Sequence, residues 1–262
     1  MGGRLSDDAL HPAAREKRPR LRHPVPGRFA VVFLLFASLT AARANDCPSP
    51  AAPEPGPLAR TLERLRSGAP LRILAIGSSS TRGVGASSPG MAYPARLEAA
   101  LEKAYPGRVT VINAGIGGEL AAATVDRLGH EMELAEPDLV LWQVGTNDAL
   151  TPAVSEEDFG LALEAGADLV ARRARDLLLI DPQVFKSAAN PGRYERFVAL
   201  VGDLAHRRRL ALFSRNKAMK FWEKAGAADD LVTRDGLHMN DKGYGCVAET
   251  LALEIERQVA GR

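Results

Sequence analysis

Between Leu71 and Gln258, short and almost wholly apolar runs alternate with segments of helical periodicity. The runs are Leu71–Ile76 (LRILAI), Val109–Asn113 (VTVIN), Leu139–Val144 (LVLWQV), Asp176–Ile180 (DLLLI) and Leu210–Phe213. Strands that are apolar at successive positions are buried on both faces, which is the habit of parallel sheets covered by helices on both sides. Helices are expected over Tyr93–Ala104, with Pro94 in the first turn, and over Leu120–Leu134. Further helices are expected from an N-cap at Ser155 to Arg173, with Asp158 in the first turn, and over Tyr194–Arg207 and Lys242–Gln258. Right-handed crossovers turn this alternation into an α/β fold, a three-layer α/β/α sandwich with a five-stranded parallel sheet. Its 262 residues show no internal repeat, so one such domain is expected. Ligands of these folds bind beyond the carboxyl ends of the strands. The loops after Ile76, Asn113, Val144, Ile180 and Phe213 are therefore the ones to inspect.

Upstream of the domain, Phe29–Ala42 (FAVVFLLFASLTAA) is a run of 14 residues without a charge. It follows a basic stretch and ends in Ala42-Arg43-Ala44, a small-x-small pattern. Basic start, short apolar middle and A-x-A end describe a secretory signal peptide over residues 1–44. The alternative is an uncleaved N-terminal anchor, for which the run is short, since a spanning helix needs about 20 apolar residues. The expected product is exported, periplasmic or secreted, with no stable membrane insertion of the mature chain. Residues 45–69, rich in proline (Pro48, Pro50, Pro53, Pro55, Pro57), are expected as a tether, and residues 70–262 as the folded domain. The net charge is +2, yet residues 1–44 alone carry +5, which leaves the rest of the chain acidic. With aromatics at only 5%, nucleic acid is a poor partner for it. Two cysteines follow the leader, Cys47 and Cys246. An oxidising compartment permits a bridge between them. Otherwise Cys246 is a small core residue and Cys47 a loose thiol. Neither has the neighbours of a metal site.

The carboxyl-edge loops share a chemistry. Gly77-Ser78-Ser79-Ser80-Thr81 follows the first strand and Asn113-Ala114-Gly115-Ile116-Gly117-Gly118 the second. Gly145-Thr146-Asn147-Asp148 follows the third, and Asp235-Gly236-Leu237-His238 precedes the last helix. A serine is a weak nucleophile unless a base takes its proton. His238 is the candidate base, and Asp235, three residues earlier across a glycine, can fold back on the imidazole and fix its tautomer. The oxyanion that forms when a serine attacks an ester needs preorganised N–H donors. A backbone N–H, a glycine N–H and an asparagine amide are all within these loops. Each loop has an ordinary reading as a turn or cap; their coincidence on one sheet edge makes them an acyl-transfer site.

At these residues the chain resembles the SGNH (GDSL-type) serine hydrolase and esterase family, which is known for blocks carrying Ser, Gly, Asn and His in this order on a flavodoxin-like sheet. IGSSST, NAGIGG, GTND and DGLH stand for the four blocks. The resemblance runs from Leu71 to the C-terminus. It implies Ser79 as nucleophile, with Ser79 N–H, Gly118 and Asn147 as the oxyanion hole, His238 as base and Asp235 as its orienting acid. The family's usual Asp before the nucleophile is Ser78 here, which puts the rigidity of that loop in question. No cofactor or metal is implied.

The remaining motifs read as structural. His130-Glu131 lacks the second His of a zinc protease. His206 beside Arg207-Arg208-Arg209 suits a helix C-terminus. Gly83-Val84-Gly85 lacks the third glycine of a dinucleotide loop. Trp142 and Trp222 are expected in the core, Trp222 alternatively in the groove. The polar stretch Pro182–Arg193, with Gln183, Lys186, Asn190 and Arg193, is the expected specificity loop. Its polarity favours a short acyl group on a polar or glycan ester. The alternatives are a lysophospholipase or thioesterase, an acyl transferase, and a non-catalytic glycan-binding protein on the same fold.

Overall fold

A computed structural model describes Cys47, residues 56–226 and residues 230–261. The expected signal peptide over residues 1–44 and most of the proline-rich stretch after it lie outside the described residues. Five parallel strands, β1 (Leu71–Gly77), β2 (Val109–Gly115), β3 (Leu139–Gln143), β4 (Asp176–Ile180) and β5 (Ala211–Phe213), form one sheet in the order β2-β1-β3-β4-β5. This is the flavodoxin-like order, and its topological switch point lies between β1 and β3. The expected three-layer fold is borne out.

The period-2 alternation of each strand sorts its side chains onto two faces. Leu71, Ile73, Ala75, Leu139, Leu141, Leu178, Ile180 and Phe213 belong to one core. Leu74, Ile76, Val140, Trp142, Leu177 and Leu179 belong to the other. The first core is closed by α1 (Ala59–Ser67), α3 (Tyr93–Ala104), α8 (Arg215–Lys224) and α9 (Asp241–Ala260). The second is closed by α4 (Ala121–Ala135), α6 (Glu156–Arg172) and α7 (Pro191–Arg208). Two short helices, α2 (Ser79–Arg82) and α5 (Thr146–Leu150), lie in the loops after β1 and β3. Trp142 and Trp222 are both fully buried, which removes the groove reading of Trp222.

Local chemistry starts several helices where the periodicity places them. Ser155 caps α6 by accepting from the Asp158 N–H. Asn190 caps α7, with Pro191 at its first position, three residues before the expected start at Tyr194. Asn240 caps α9. The acidic or basic head that satisfies a helix end is elsewhere supplied from a distance. Asp176 at the start of β4 accepts from the N–H groups of Arg60 and Thr61 and from the Thr61 hydroxyl, closing the N-terminus of α1. Asp138, almost fully buried, takes Arg60 Nε at 2.7 Å and Arg64 Nε at 2.9 Å.

Helix α1 lies within the stretch 45–69 expected as a tether, ahead of the expected start of the domain at residue 70. Leu58, Thr61 and Leu65 are buried, and α1 is part of the sandwich rather than of a tether. Further upstream, Cys47 is bonded to Cys246 of α9, with Cα atoms 5.4 Å apart. Both cysteines are buried, and Cys47 packs into the first core. Among the described residues no helix is long and apolar enough to cross a membrane.

Candidate active site

The four blocks converge at the carboxyl edge of β2, β1 and β3. Gly77 ends β1, and Ser79 opens α2 directly beyond it. A loop between α8 and α9 carries the other two groups. It is pinched at its neck by an antiparallel bridge between Val232 and Met239 and by the Thr233 N–H bond to the His238 carbonyl. Within that loop, Asp235 Oδ1 accepts from the N–H groups of Leu237 and His238 and from the Thr233 hydroxyl, all at 2.7–2.9 Å. Its other oxygen, Oδ2, is 2.6 Å from His238 Nδ1. On the far side of the ring, His238 Nε2 is 2.9 Å from Ser79 Oγ. Ser79, His238 and Asp235 thus form one hydrogen-bonded chain. Burial alone would lift the Asp235 carboxyl, but the His238 ring and the other donors outweigh it and hold the carboxyl well below the usual range. An imidazole held in this way can take the Ser79 proton while the ionised carboxylate stabilises the charge it gains.

One glycine sets the separation of the two loops. Gly85, three residues beyond α2, has φ +95°, and a Cβ there would lie 2.3 Å from the Met239 carbonyl and 3.2 Å from His238 Cβ. Only a residue without a side chain lets the Ser79 loop approach the His238 loop this closely. The Tyr244 hydroxyl, from α9, clamps the same turn by donating to the Val84 carbonyl at 2.6 Å.

Ser78, where the family usually has Asp, is not loose. Its N–H and its hydroxyl both donate to Gln143 Oε1, at 3.0 and 2.9 Å, and Thr81 Oγ1 approaches the same oxygen at 3.4 Å. Gln143 is buried at the end of β3, so the neighbouring strand supplies the anchor. This residue reads in the sequence as one more position of a buried strand, and only the polar character of its side chain there hints at a role.

The candidate oxyanion residues lie in neighbouring loops. Asn147 Nδ2 donates to the Glu119 carbonyl at 2.9 Å, which ties the GTND loop to the residue after Gly118. Asp148 accepts from the Ala121 N–H at the start of α4. Glu119 in turn is held by Arg127 at 2.7 Å, and Arg127 also reaches the Ala114 carbonyl. Gly118 itself has φ +78°, with open space around it. The N–H groups of Ser79 and Gly118 donate to no acceptor among the described residues.

In the Pro182–Arg193 stretch the polar side chains expected to face a substrate are engaged within the protein. Gln183 is buried, accepting from the Thr146 hydroxyl and donating to the Leu237 carbonyl. Asn190 caps α7, and Arg193 donates to the carbonyls of Asp148, Ala149, Thr151 and Val154. Lys186 pairs with Glu223. The loop buttresses α5 and the His238 loop, because their backbone carbonyls need donors that no local turn supplies. A groove along α7 and α8, lined by Glu195, His206, Lys217 and Lys220, includes none of the residues of the Ser79 site. Among the described residues no cluster of His, Cys, Asp and Glu is arranged to hold a metal ion.

Residues 44–261 match the non-GDSL lipase-like family. The chain belongs to that family. Its first block, Gly77-Ser78-Ser79-Ser80, lacks the Asp of a GDSL sequence. No curated protein matches the chain. Among solved structures, it is similar to a two-domain esterase active on acetylated mannans, at 26% identity and a TM-score of 0.67. That match covers 79% of this chain and 55% of the esterase, so the chain spans about half of that protein's length. A lipase/acylhydrolase from Enterococcus faecalis shares the fold at 24% identity and a TM-score of 0.62, over 72% of this chain and 97% of that one. An acetylxylan esterase from Geobacillus stearothermophilus does so at 20% identity and a TM-score of 0.62, over 72% and 95%.

Proposed function

We propose that this family member is an exported serine esterase that removes short acyl groups, acetyl above all, from a glycan. The observation that carries the reading is the Ser79–His238–Asp235 chain, with 2.9 and 2.6 Å links through one imidazole. In the proposed reaction Ser79 Oγ attacks the ester carbonyl as its proton passes to His238 Nε2. Negative charge builds on the carbonyl oxygen, where the Ser79 N–H, the Gly118 N–H and the second amide hydrogen of Asn147 receive it. The free state of the two backbone donors supports this, since a donor already bonded would have to give up its partner first. Collapse breaks the C–O bond, and the imidazolium returns its proton to the leaving alkoxide. Water, deprotonated by the same imidazole, then hydrolyses the acyl-serine.

The acetyl-glycan preference draws on the mannan esterase likeness and on the open surroundings of Gly118, not on the 182–193 loop. Export draws on the basic, apolar, A-x-A leader and on the Cys47–Cys246 bridge, which belongs in an oxidising compartment. A second reading, a lysophospholipase or thioesterase, is favoured by Val84 and Ile116, large apolar side chains left exposed beside the site.

The test is hydrolysis of p-nitrophenyl esters from acetate to palmitate by residues 45–262 and by Ser79→Ala. Activity that peaks at acetate and is lost in Ser79→Ala supports the proposal. A peak at long chains moves the assignment to the second reading. Equal activity in the two proteins removes Ser79 as nucleophile.

A further inference from the structure

Several arginines on the surface of this domain are paired with acids. Arg60, Arg64, Arg127, Arg173, Arg196, Arg207 and Arg208 each have a carboxylate within 4 Å. Arg82 does not. It ends the short helix that Ser79 begins, it is exposed, and its guanidinium has no ion-pair or hydrogen-bond partner among the described residues. Its place is nonetheless fixed. The Arg82 backbone packs against β2, where a Cβ on Gly115 would lie 2.1 Å from the Arg82 N atom. The guanidinium lies beside the loop after β2, with Nη1 3.8 Å from the point where a Gly117 side chain would begin. Arg234, beside Asp235 in the opposing loop, is likewise exposed and its guanidinium is without a partner among the described residues. The carboxylates of these two loops are already engaged, Asp235 by His238 and Glu119 by Arg127.

We infer that Arg82 is a substrate-specificity residue that selects esters carrying a carboxylate close to the scissile bond, such as O-acetylated uronic-acid units of an acidic glycan. The inference rests on the esterase reading of Ser79 and narrows its substrate. A guanidinium presents a planar fork of donors that matches a carboxylate bidentately, which a neutral xylan or mannan unit does not offer. With no internal acid to satisfy it, Arg82 gives up no existing pair when the substrate arrives.

The experiment compares one acetylated oligogalacturonate in two forms, with its carboxyl groups free and with them methyl-esterified. Acetate release is followed in the wild type, Arg82→Gln and Arg82→Lys, at 20 and 300 mM NaCl, with p-nitrophenyl acetate as reference. For the wild type, kcat/KM on the free acid should exceed that on the methyl ester by about fivefold at low salt, the scale of one exposed charge pair. The ratio should shrink at high salt. Arg82→Gln should bring it to about one, and Arg82→Lys should keep part of it. A wild-type ratio of one, or a ratio unchanged in Arg82→Gln, overturns the inference and leaves the esterase reading standing. Silence of folded wild-type protein on all three substrates overturns both.

Discussion

Gln143→Leu isolates what holds the Ser79 loop in a chain that lacks the usual Asp. One oxygen, Gln143 Oε1, accepts from the Ser78 N–H at 3.0 Å, the Ser78 hydroxyl at 2.9 Å and, more weakly, Thr81 Oγ1 at 3.4 Å. Leucine keeps most of the volume and removes the acceptor. The two hydroxyls can turn to other partners, and Thr81 already has Tyr93 Oη at 3.1 Å. The Ser78 N–H cannot turn. Leaving a buried donor unpaired costs about 1–3 kcal/mol, and losing the hydroxyl bond adds about 1 kcal/mol. The leucine also removes Gln143 Nε2, which is buried without a partner among the described residues, and this offsets part of the loss. Gln143→Leu should therefore lower stability by about 1–2 kcal/mol in urea unfolding, and Ser78→Ala, which spares the N–H, by about 1 kcal/mol. At roughly 2–4 °C per kcal/mol for a domain of this size, the leucine variant should melt about 2–8 °C lower. Catalysis should suffer separately. Displacing the Ser79 turn by about 1 Å costs on the order of 100-fold, and the loss should fall on kcat for p-nitrophenyl acetate rather than on KM. Wild-type stability and kcat in Gln143→Leu would refute the argument, since the Ser78 N–H would then have another acceptor.

Gly85→Ala should fold yet lose kcat by about 100-fold, because its Cβ would meet the Met239 carbonyl and push the His238 loop from Ser79; a wild-type kcat would show that the loops are not in contact there. Gly166→Ala should destabilise by about 1–3 kcal/mol, although alanine normally gains about 1 kcal/mol over glycine inside a helix. Its Cβ would lie 2.3 Å from the Trp142 ring, so the same change in a Trp142→Phe background should cost less; stabilisation of the single variant on urea unfolding would contradict the packing. Burial pushes the Asp181 carboxyl up to about 6 in the folded state, despite its bonds from Ser214 and Asn216. The protonated form is thus favoured by folding, and this contribution is full below about pH 4 and lost as pH rises through 6. Relative to the wild type, Asp181→Asn should gain stability across that window in urea titrations at pH 4 and 7, and a pH-independent difference would remove the assignment.

The elements legible in the sequence are those that carry their own instructions. Strands β1, β3 and β4 announce themselves by near-continuous burial, and α6 by Ser155 and its acidic first turn. The helix α1 was hidden because Asp176 and Asp138, more than 70 residues away, supply its cap and its charge partners. Helices α2 and α5 have four and five residues, too few to show a period, and tertiary contacts hold them. Helix α8 is polar enough to pass for a loop, since two of its buried residues are Arg215 and Asn216 and its exposed positions include Lys217, Lys220 and Lys224. The site followed the same division. The order Ser, Gly, Asn, Asp, His was readable because the first three residues follow strands and the last two stand together in the short motif before the last helix. The side chains that support them were not, since Gln143, Glu119 and Arg127 look like ordinary strand and helix residues until the fold brings them under the loops. The polarity of Pro182–Arg193 misled for the converse reason: a polar loop residue looks the same whether it awaits a ligand or satisfies a distant carbonyl.

Buried polar groups gather mainly at the carboxyl edge of the sheet. At the amino edge, Asp138 accepts from Arg60, Arg64 and the Arg72 N–H, and Asp176 from the Arg60 and Thr61 N–H groups, while Arg108 Nε is buried without a partner among the described residues. At the carboxyl edge, Ser78, Gln143, Asp181, Gln183, Arg215 and Asn216 are all buried around or beneath the loops that carry Ser79 and His238. Three of them, Gln143, Arg215 and Asn216, each keep a buried side-chain nitrogen without a protein partner. Burial pulls the Arg215 guanidinium down from its ordinary range, and it has no carboxylate within ion-pair distance among the described residues. Such groups lower stability wherever they occur. More of these groups lie at the carboxyl edge than at the amino edge, so the edge that carries Ser79 and His238 gives up more stability than the other.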